Sequence, residues 1–284
     1  MTAADGARAG TLYLVATPIG NLGDITHRAL EVLGSVDVVF AEDTRRSRAL
    51  LTHFGISGKD LVALHAHSTP GERQAALARI LGGANAALVT DAGTPAVSDP
   101  GHELVALAVA ARVSVVPIPG ASAVLAALVG SGLASGSAFR FLGFLPREGA
   151  DRARALAKVS MTEEPVVLYE APNRTPRTLA DLAERTPDRS VAVARELTKM
   201  HEEFVRGTLR ELAKAPREWV GEVVLVLGAH EPKEVELTDE EIDERIDRDG
   251  GASHPKTLAD RLAALSGRGR RELYERIVAR RKGA

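Results

Sequence analysis

The sequence contains no cysteine among its 284 residues. This absence excludes disulfide bonds, thiolate nucleophiles, zinc–thiolate sites and iron–sulfur clusters. Aromatic residues make up only 4% of the chain, which argues against a broad base-stacking surface for nucleic acid. The formal net charge of −2 argues against electrostatic capture of nucleic acid by the protein as a whole and leaves only a local basic patch for that role.

Long hydrophobic runs are also missing. No stretch of about 20 apolar residues occurs, so the sequence predicts no transmembrane helix. The first ten residues lack the apolar core of a signal peptide, and together with the lack of cysteine this favours a cytoplasmic protein. Hydrophobic residues at 45% and charged residues at 26% are typical of a folded globular chain, and the length suits about two domains.

Residues 1–118 alternate short apolar runs with helical patterns. The runs are nearly continuous in aliphatic residues, as in parallel strands that are covered on both faces. Strands are predicted at 11–16, 36–40, 60–64, 86–90 and 113–117, and helices at 27–33, 47–54, 72–81 and 103–111. This alternation predicts an α/β domain with a doubly wound parallel sheet.

Residues 119–230 predict a different domain. A small-residue helix over 121–133 is interrupted by glycines towards its end. Strands are predicted at 139–145, 166–170, 191–196, 203–207 and 223–227, with clear helices only at 152–158 and 177–185. Successive strands with short connections indicate a mixed sheet with antiparallel members.

Residues 231–284 change character. The part up to residue 249 carries ten acids, and residues 256–282 then carry nine basic side chains with apolar residues at helical spacing. We predict a small helical appendage with a basic face. It is either a solvated helix pair that caps the second domain or a contact for nucleic acid.

Three loops rich in Gly, Pro, Ser and Thr follow predicted strands, at 17–24, 90–101 and 117–123. Ligands of open α/β sheets bind beyond the carboxyl ends of the strands. The loop at 90–101 spends about eleven residues where a β-turn needs about four, so we interpret it as a preformed ligand wall rather than an elaborate turn.

Individual residues of these loops have specific predicted roles. Gly93 would let a ligand approach the backbone closely. Ser122 suits a carboxylate or phosphate at a helix N-terminus, or caps that helix, and the two roles are compatible. Asp24 either caps the helix that follows it or faces a ligand.

Several common catalytic motifs do not occur. The sequence has no P-loop, no G-x-G-x-x-G after a strand, no H-E-x-x-H and no G-x-S-x-G. P-loop NTPases, ordinary dinucleotide oxidoreductases, zinc proteases and nucleophile-elbow hydrolases therefore lose their usual support. We interpret His65 and His67 as loop or substrate contacts, and we predict no metal site.

Eight segments, in chain order, resemble the tetrapyrrole methylase superfamily and more narrowly its ribosomal RNA small-subunit methyltransferase I family. They are TPIGNLGDITHRAL, AEDTRRSRALL, TDAGTPAVSDPGHEL, PIPGASA, GFLP, LYEAPNR, ARELTKMHEE and GEVVLV. The resemblance covers about residues 10–230. Asn173 departs from the family pattern, which usually has a histidine there, so a role that needs an imidazole at that position is lost.

The resemblance implies a fold, a reaction and partners. It implies a homodimer of two-domain α/β subunits with S-adenosylmethionine in the cleft between the domains. It further implies methyl transfer to a cytidine ribose 2′-hydroxyl in the decoding region of 16S rRNA, with 16S rRNA or the small ribosomal subunit as partner. Carried over by motif, the cofactor-binding residues are Pro18, Asp91, Ala92, Gly93, Thr94, Val97, Ser122, Ala123, Tyr169 and Leu197.

Methyl transfer to a ribose hydroxyl sets clear demands. The oxygen must lie near the methyl carbon, in line with the departing sulfur, and no metal or covalent intermediate is needed. The hydroxyl is a poor nucleophile, so a base or a cation should assist it. Our hypothesis is that Lys199 and Glu196 serve the hydroxyl, with Glu170 orienting it or accepting a proton; the alternative is an ion-pair ladder on the surface.

This hypothesis assumes an extended chain after residue 195. Alternation would then divide the side chains between two sides. One side would carry Arg195, Leu197, Lys199 and His201, and the other Glu196, Thr198 and Met200.

The basic turn with Arg45 and Arg46, joined by Arg48, is predicted to grip RNA phosphates. Arg174, Arg195, His201 and the arginines of the tail are further candidates, although each could instead be ion-paired. Three functions stay open at this point: an RNA methyltransferase dependent on S-adenosylmethionine, a methylase of the same fold acting on a tetrapyrrole or a protein side chain, and a non-catalytic assembly factor that binds rRNA.

Overall fold

The computed structural model describes residues 9–136, 138–215, 217–230, 237–249, 251–266 and 268–282. The chain divides into two compact units, Met1–His230 and Glu231–Ala284. Both sheets lie in the first unit, so the division at residue 118 stays a prediction. No helix among the described residues is long and apolar enough to cross a membrane.

The first sheet is parallel throughout, with strand order β3-β2-β4-β1-β5. Its strands are β1 (Thr11–Val15), β2 (Val38–Ala41), β3 (Asp60–Ala63), β4 (Ala86–Val89) and β5 (Ser114–Ile118), and its helices are α1 (His27–Ser35), α2 (Thr44–His53), α3 (Pro70–Leu81) and α4 (His102–Ala110). All four residues of β2 are buried. Val38 and Phe40 pack into one hydrophobic cluster and Val39 and Ala41 into another, as a strand covered on both faces requires.

The second sheet is mixed, with strand order β6-β7-β10-β8-β9. Its strands are β6 (Arg140–Phe144), β7 (Val166–Glu170), β8 (Ser190–Arg195), β9 (Glu203–Thr208) and β10 (Val223–Leu227), and its helices are α5 (Ala123–Ser131), α6 (Gly149–Ser160), α7 (Thr175–Ala183) and α8 (Leu209–Lys214). Only the β6–β7 pair is parallel. Helix α5 covers one face through Val124, Ala127 and Leu128. The predicted fold class, a parallel first sheet and a mixed second sheet, is confirmed.

Local capping explains where several helices differ from their predicted bounds. Helix α2 begins earlier than predicted because the Asp43 side chain accepts a hydrogen bond from the Arg45 amide. Helix α1 is capped by Thr26, whereas Asp24 lies inside a short 3-10 turn, so the capping role suggested for Asp24 is wrong. The short helix α8 occupies a stretch where the sequence pattern predicts only a short connection between strands. It begins at a capping box formed by Thr208 and Glu211.

The described part of the second unit contains three helices, α9 (Asp239–Asp249), α10 (Pro255–Ser266) and α11 (Arg270–Lys282), around its own apolar cluster. The prediction of a helical appendage is confirmed. The predicted helix pair is wrong, because the acidic run forms a helix as well. The acids of α9 neutralise much of the positive charge of α11. Arg280, for example, pairs with Asp243 and Asp247 at 2.7 Å each, so most of the expected basic charge is balanced within the unit.

Candidate functional site

A cavity of about 370 Å³ opens where strands of the two sheets end. Its volume falls in the range of about 300–1,000 Å³ that is usual for small-molecule sites. Residues after β1, β4 and β5 form one wall, and residues of β7, β10 and the turn before β10 form the other. The lining residues are Ile19, Ala92, Gly93, Thr94, Val97, Ser98, Asp99, Ser122, Ala123, Phe144, Tyr169, Glu170, Ala171, Pro172, Gly221, Glu222, Val223 and Val224.

The three predicted ligand loops are tied together at this cavity. Thr17 and Gly93 exchange two backbone hydrogen bonds, of 2.9 and 3.0 Å. The Thr94 hydroxyl donates to the Ala121 carbonyl at 3.1 Å. These bonds join the loops after β1, β4 and β5 into one preformed wall, in agreement with the interpretation of the long loop.

Backbone conformation shapes that wall. Gly93 has φ +82°, in the left-handed region that favours glycine, and a Cβ there would stand at ordinary contact distance, 3.4 Å, from the Ile19 side chain. Ala96 and Ser98, which are not glycines, also have φ values of 65° and 62°. Such strained residues cluster at binding and catalytic sites.

Seven of the ten predicted cofactor residues line the cavity: Ala92, Gly93, Thr94, Val97, Ser122, Ala123 and Tyr169. Three do not. Pro18 is buried beside Ile19, which takes the lining position. Asp91 accepts from the Asp43 amide and pairs with Arg46, and Leu197 packs in the core under α5.

Ser122 takes the capping role suggested for it and also lies at the cavity. It is the N-cap of α5, where its hydroxyl accepts a long hydrogen bond of 3.5 Å from the Leu125 amide. It also lines the cavity. The N-terminus of α5 therefore borders the ligand space.

The segment after β8 forms a turn and is not extended, so the predicted alternation of its side chains is wrong. Glu196 and Thr198 have φ values of 49° and 66°. The turn brings the Lys199 ammonium to 2.9 Å from Glu196 Oε1 and 3.1 Å from Glu222 Oε2. Lys199 and Glu196, predicted on opposite sides, are thus direct partners beside the cavity-lining Glu222.

The charges of this cluster are set by mutual contact. Partial burial lowers the pKa of Lys199, but hydrogen bonds from its ammonium to Glu196 and Glu222 outweigh burial and the net direction is upward. Hydrogen bonds from Lys199 and from the Glu222 amide hold the pKa of Glu196 below its ordinary value. Both groups are ionised at neutral pH, so Lys199 is a cation rather than a base. Gly221 makes room for the cluster, since a Cβ there would stand 2.3 Å from Glu196 Oε1.

Glu170 lines the cavity as part of the second wall, and its side chain is buried. Its carboxylate accepts from the Thr178 hydroxyl at 2.6 Å and pairs with Arg174 Nε at 3.1 Å. Arg174 also donates to the Leu145 carbonyl at 2.7 Å. These contacts hold both side chains inside the fold, which leaves Arg174 poorly placed for the predicted contact with RNA and Glu170 poorly placed to take a proton.

The remaining RNA candidates differ in their surroundings. Arg195 pairs with Glu203 at 3.2 Å and its side chain is only 14% exposed. Arg45 and Arg46 are 89% and 70% exposed, and each pairs with one acid, Asp43 or Asp91. His201 is exposed. Among the described residues no group of three His, Asp or Glu side chains could hold a metal ion.

Sequence reasoning missed two side chains that give the cavity its chemical character. Burial raises the pKa of Asp99 to about 6, Glu42 and Asp91 add to the rise, and a hydrogen bond from Thr90 opposes it. Phe144 is 60% exposed and lies 5.4 Å from the Tyr169 ring, centroid to centroid. The SDPG sequence was a visible signal for Asp99, whereas Phe144 depends on a register shift in β6 that local sequence does not reveal.

Tyr169 faces two of the acids of the site. Burial, followed by the charges of Asp99 and Glu222, raises the pKa of Tyr169 to about 12. The phenol therefore stays protonated at neutral pH and can donate a hydrogen bond.

Residues 11–213 match the family described as Tetrapyrrole (Corrin/Porphyrin) Methylases. A protein of Synechocystis sp. named ribosomal RNA small subunit methyltransferase I is 52% identical over 202 residues, which is 71% of this chain and 72% of that protein. A protein of the same name from Neisseria meningitidis serogroup A is 44% identical over 282 residues, 96% of this chain and 94% of that protein.

A solved structure shares the fold. The uroporphyrin-III C-methyltransferase of Thermus thermophilus, complexed with S-adenosylhomocysteine, superposes with a TM-score of 0.55 at 22% identity and covers 77% of this chain and 97% of that one. At this identity the likeness concerns the fold alone. The match over residues 11–213 and the extent of the identity to the relatives go further: the chain belongs to the tetrapyrrole methylase family, alongside relatives named ribosomal RNA small subunit methyltransferase I.

Proposed function

We propose that this protein transfers a methyl group from S-adenosylmethionine to a ribose 2′-hydroxyl of a cytidine in the decoding region of 16S rRNA. The observation that carries the proposal is the preformed cavity at the strand ends, walled by the loop at 92–99, in a chain so similar to named rRNA methyltransferases. The partner is 16S rRNA or the small ribosomal subunit, and the activity is therefore cytoplasmic.

The residues present suit the methyl donor. Gly93 presents bare backbone beside Ile19, and Val97 and Ala123 add small apolar surface. S-adenosylmethionine supplies an electrophilic methyl group on a sulfonium whose charge disappears during transfer. The part of the wall formed by Gly93, Val97 and Ala123 carries no charge, so it does not over-stabilise the sulfonium in the ground state, which favours transfer. We assign the donor to the cavity-lining members of the predicted set, with Ser122 and Tyr169 as the polar contacts.

The hydroxyl acceptor needs positioning at about 3–3.5 Å from the methyl carbon. Lys199 is fixed by Glu196 and Glu222 and is cationic at neutral pH. We propose that it acts electrostatically at the mouth of the cavity, where it orients the ribose and favours the developing alkoxide. Lys199 and Glu196 therefore stay in the catalytic hypothesis, with Lys199 as a cation and not as a base.

For the RNA backbone we propose Arg45 and Arg46 at the start of α2. Both are well exposed, and their present partners are single acids that phosphates can compete with. Arg174 and Arg195 are held in internal contacts, so we do not retain them for phosphate binding.

We also propose a homodimer, as the family resemblance implies. Leu125 and Val129, one turn apart on α5, are 52% and 73% exposed, whereas Val124, Ala127 and Leu128 on the same helix are buried. Light scattering of the purified chain would test this; a mass of one chain at micromolar concentration would contradict it.

The proposed function is tested by mapping 2′-O-methyl groups on 16S rRNA from cells with and without this protein. We expect one decoding-region cytidine to lose its methyl group in the deletion strain and regain it when the gene is restored. An unchanged methylation map would overturn the proposal.

A further inference from the structure

Three carboxylates line the cavity within the described part of the chain, and they differ in their partners. Glu170 is held by Thr178 and Arg174, and Glu222 is held by Lys199 at 3.1 Å. Asp99 makes no ion pair among the described residues. It is half-buried on the first wall, between the strained Ser98 and Pro100.

The surroundings of Asp99 come from three elements and contain no close cation among the residues that the structure describes. Thr90 directly follows β4; its hydroxyl donates a long hydrogen bond of 3.4 Å to the Ala92 carbonyl and also lowers the pKa of the Asp99 carboxyl. Glu42, which follows β2, and Asp91 add negative charge, although Asp91 itself pairs with Arg46 at 3.3 Å. From the second wall Tyr169 faces it with a protonated phenol.

This environment differs from that of a structural carboxylate. A buried carboxylate kept for stability is paired or fully hydrogen-bonded, because an uncompensated charge in a half-buried place is costly. Asp99 has the Thr90 hydroxyl and acidic groups as its neighbours, and it lines a space large enough for a ligand. Titratable groups in such settings are frequent at catalytic sites.

Resting on the proposed function, we infer that Asp99 is the general base that accepts the proton of the ribose hydroxyl during methyl transfer. The hydroxyl O–H bond breaks and its proton goes to the Asp99 carboxylate. The oxygen electron pair forms the new bond to the methyl carbon, while the pair of the breaking carbon–sulfur bond stays on sulfur. The products are the 2′-O-methyl ribose, S-adenosylhomocysteine and neutral Asp99, so atoms and charge balance.

The other groups of the site are poorer proton acceptors. Lys199 is already protonated, Tyr169 keeps its proton to about pH 12, and contacts with Lys199 lower the pKa of Glu196. A general base works best when its pKa lies near the operating pH. Asp99 meets this condition, because burial raises the pKa of its carboxyl to about 6.

The test measures single-turnover methyl transfer to small ribosomal subunits between about pH 5 and pH 9 for the wild type, Asp99→Asn, Asp99→Glu and Asp60→Asn. Asp60→Asn is the matched control, because Asp60 is an exposed aspartate on β3 that pairs with Arg79. We expect the wild-type rate to rise with a midpoint near pH 6. Asp99→Asn should slow methyl transfer about 10²–10⁴-fold at neutral pH, and the midpoint near pH 6 should disappear. Asp99→Glu should recover part of the rate and part of the pH dependence.

Two readouts do not depend on activity. S-adenosylhomocysteine should bind Asp99→Asn within about twofold of the wild type, since the inference gives Asp99 a role toward the proton only. A ¹³C-carboxyl titration of aspartate-labelled protein should show one resonance with a midpoint of about 6 that is missing in Asp99→Asn.

The outcomes separate the two claims. Wild-type transfer that Asp99→Asn leaves intact, or slows with no change in pH dependence, overturns the role of Asp99 alone. A wild type that methylates no small-subunit RNA overturns the proposed function and the inference with it.

Discussion

The two walls of the cavity handle charge in different ways. The second wall has its acids in close pairs: Glu170 with Arg174, and Glu222 with Lys199. The first wall is built from backbone turns and hydroxyls, and its one lining acid, Asp99, forms no ion pair with any described residue. Paired charges hold a geometry, whereas an unpaired half-buried carboxylate is free to change its protonation. We infer that the second wall positions groups and the first wall exchanges the proton.

The largest effect should come from breaking the buried pair of the second wall. Glu170→Ala leaves Arg174 without its carboxylate in the interior, which should cost about 3–5 kcal/mol of unfolding free energy. Urea unfolding measures it. The matched control is Glu164→Ala, whose pair with Arg140 is exposed and should be worth less than about 1 kcal/mol. Equal losses for the two variants would contradict the difference between buried and exposed pairs.

Next in size is the loss of the cation beside the cavity. Lys199→Ala should slow methyl transfer about 10²-fold, because removal of one electrostatic contact to a developing oxyanion typically costs that much. Calorimetry should find S-adenosylhomocysteine affinity unchanged. Lys214→Ala, an exposed lysine on α8, is the control. An unaltered transfer rate for Lys199→Ala would mean that the cluster with Glu196 and Glu222 only stabilises the turn.

A smaller effect is expected outside the cavity. The double variant Arg45→Glu with Arg46→Glu should weaken binding of small-subunit RNA about tenfold at physiological salt and flatten its salt dependence. Filter binding over a salt series measures both. Arg154→Glu with Arg185→Glu changes the net charge equally on α6 and just after α7, and should leave RNA affinity nearly unchanged. A loss of S-adenosylhomocysteine binding in the first variant would instead indicate misfolding.

The smallest effect concerns the stability of the first wall. The pKa of the Asp99 carboxyl is 3.8, its ordinary value, in the unfolded chain and about 6 in the folded protein. The folded state therefore binds more protons than the unfolded chain between these two pH values. Wild-type stability should therefore fall as pH rises through this window. Asp99→Asn cannot lose stability in this way, so it should be more stable than the wild type by about 1 kcal/mol above pH 6, a figure reduced for solvent screening. Below pH 4 the two proteins should be equally stable. Thermal unfolding across the range checks the sign.

The sequence predicted the first sheet well because its central strands are covered on both faces. β2 and β4 are short apolar runs with every residue buried, and this pattern needs no tertiary information. The ligand loops were equally visible, since Gly, Pro and hydroxyl residues concentrate after three of the five strands of the first sheet. Seven of the ten cofactor candidates therefore lie at the cavity.

The rest depended on contacts between distant segments. The turn after β8 takes left-handed φ at Glu196 and Thr198, and the bare Gly221 backbone admits the Glu196 side chain. No local sequence pattern indicates this turn, so the predicted alternation wrongly placed Lys199 and Glu196 on opposite sides. In the tail, acids of α9 pair with arginines more than 30 residues later, such as Arg280 with Asp247, which a count of basic residues cannot show.

The measurement that tests the account most directly is a crystal structure of the protein with S-adenosylhomocysteine. We expect the ligand in the cavity, against Gly93 and Ala123 on one wall and Tyr169 on the other, with Asp99 left facing open space beside the sulfur. Ligand bound elsewhere on the chain, or bound so that it covers Asp99 completely, would contradict the account.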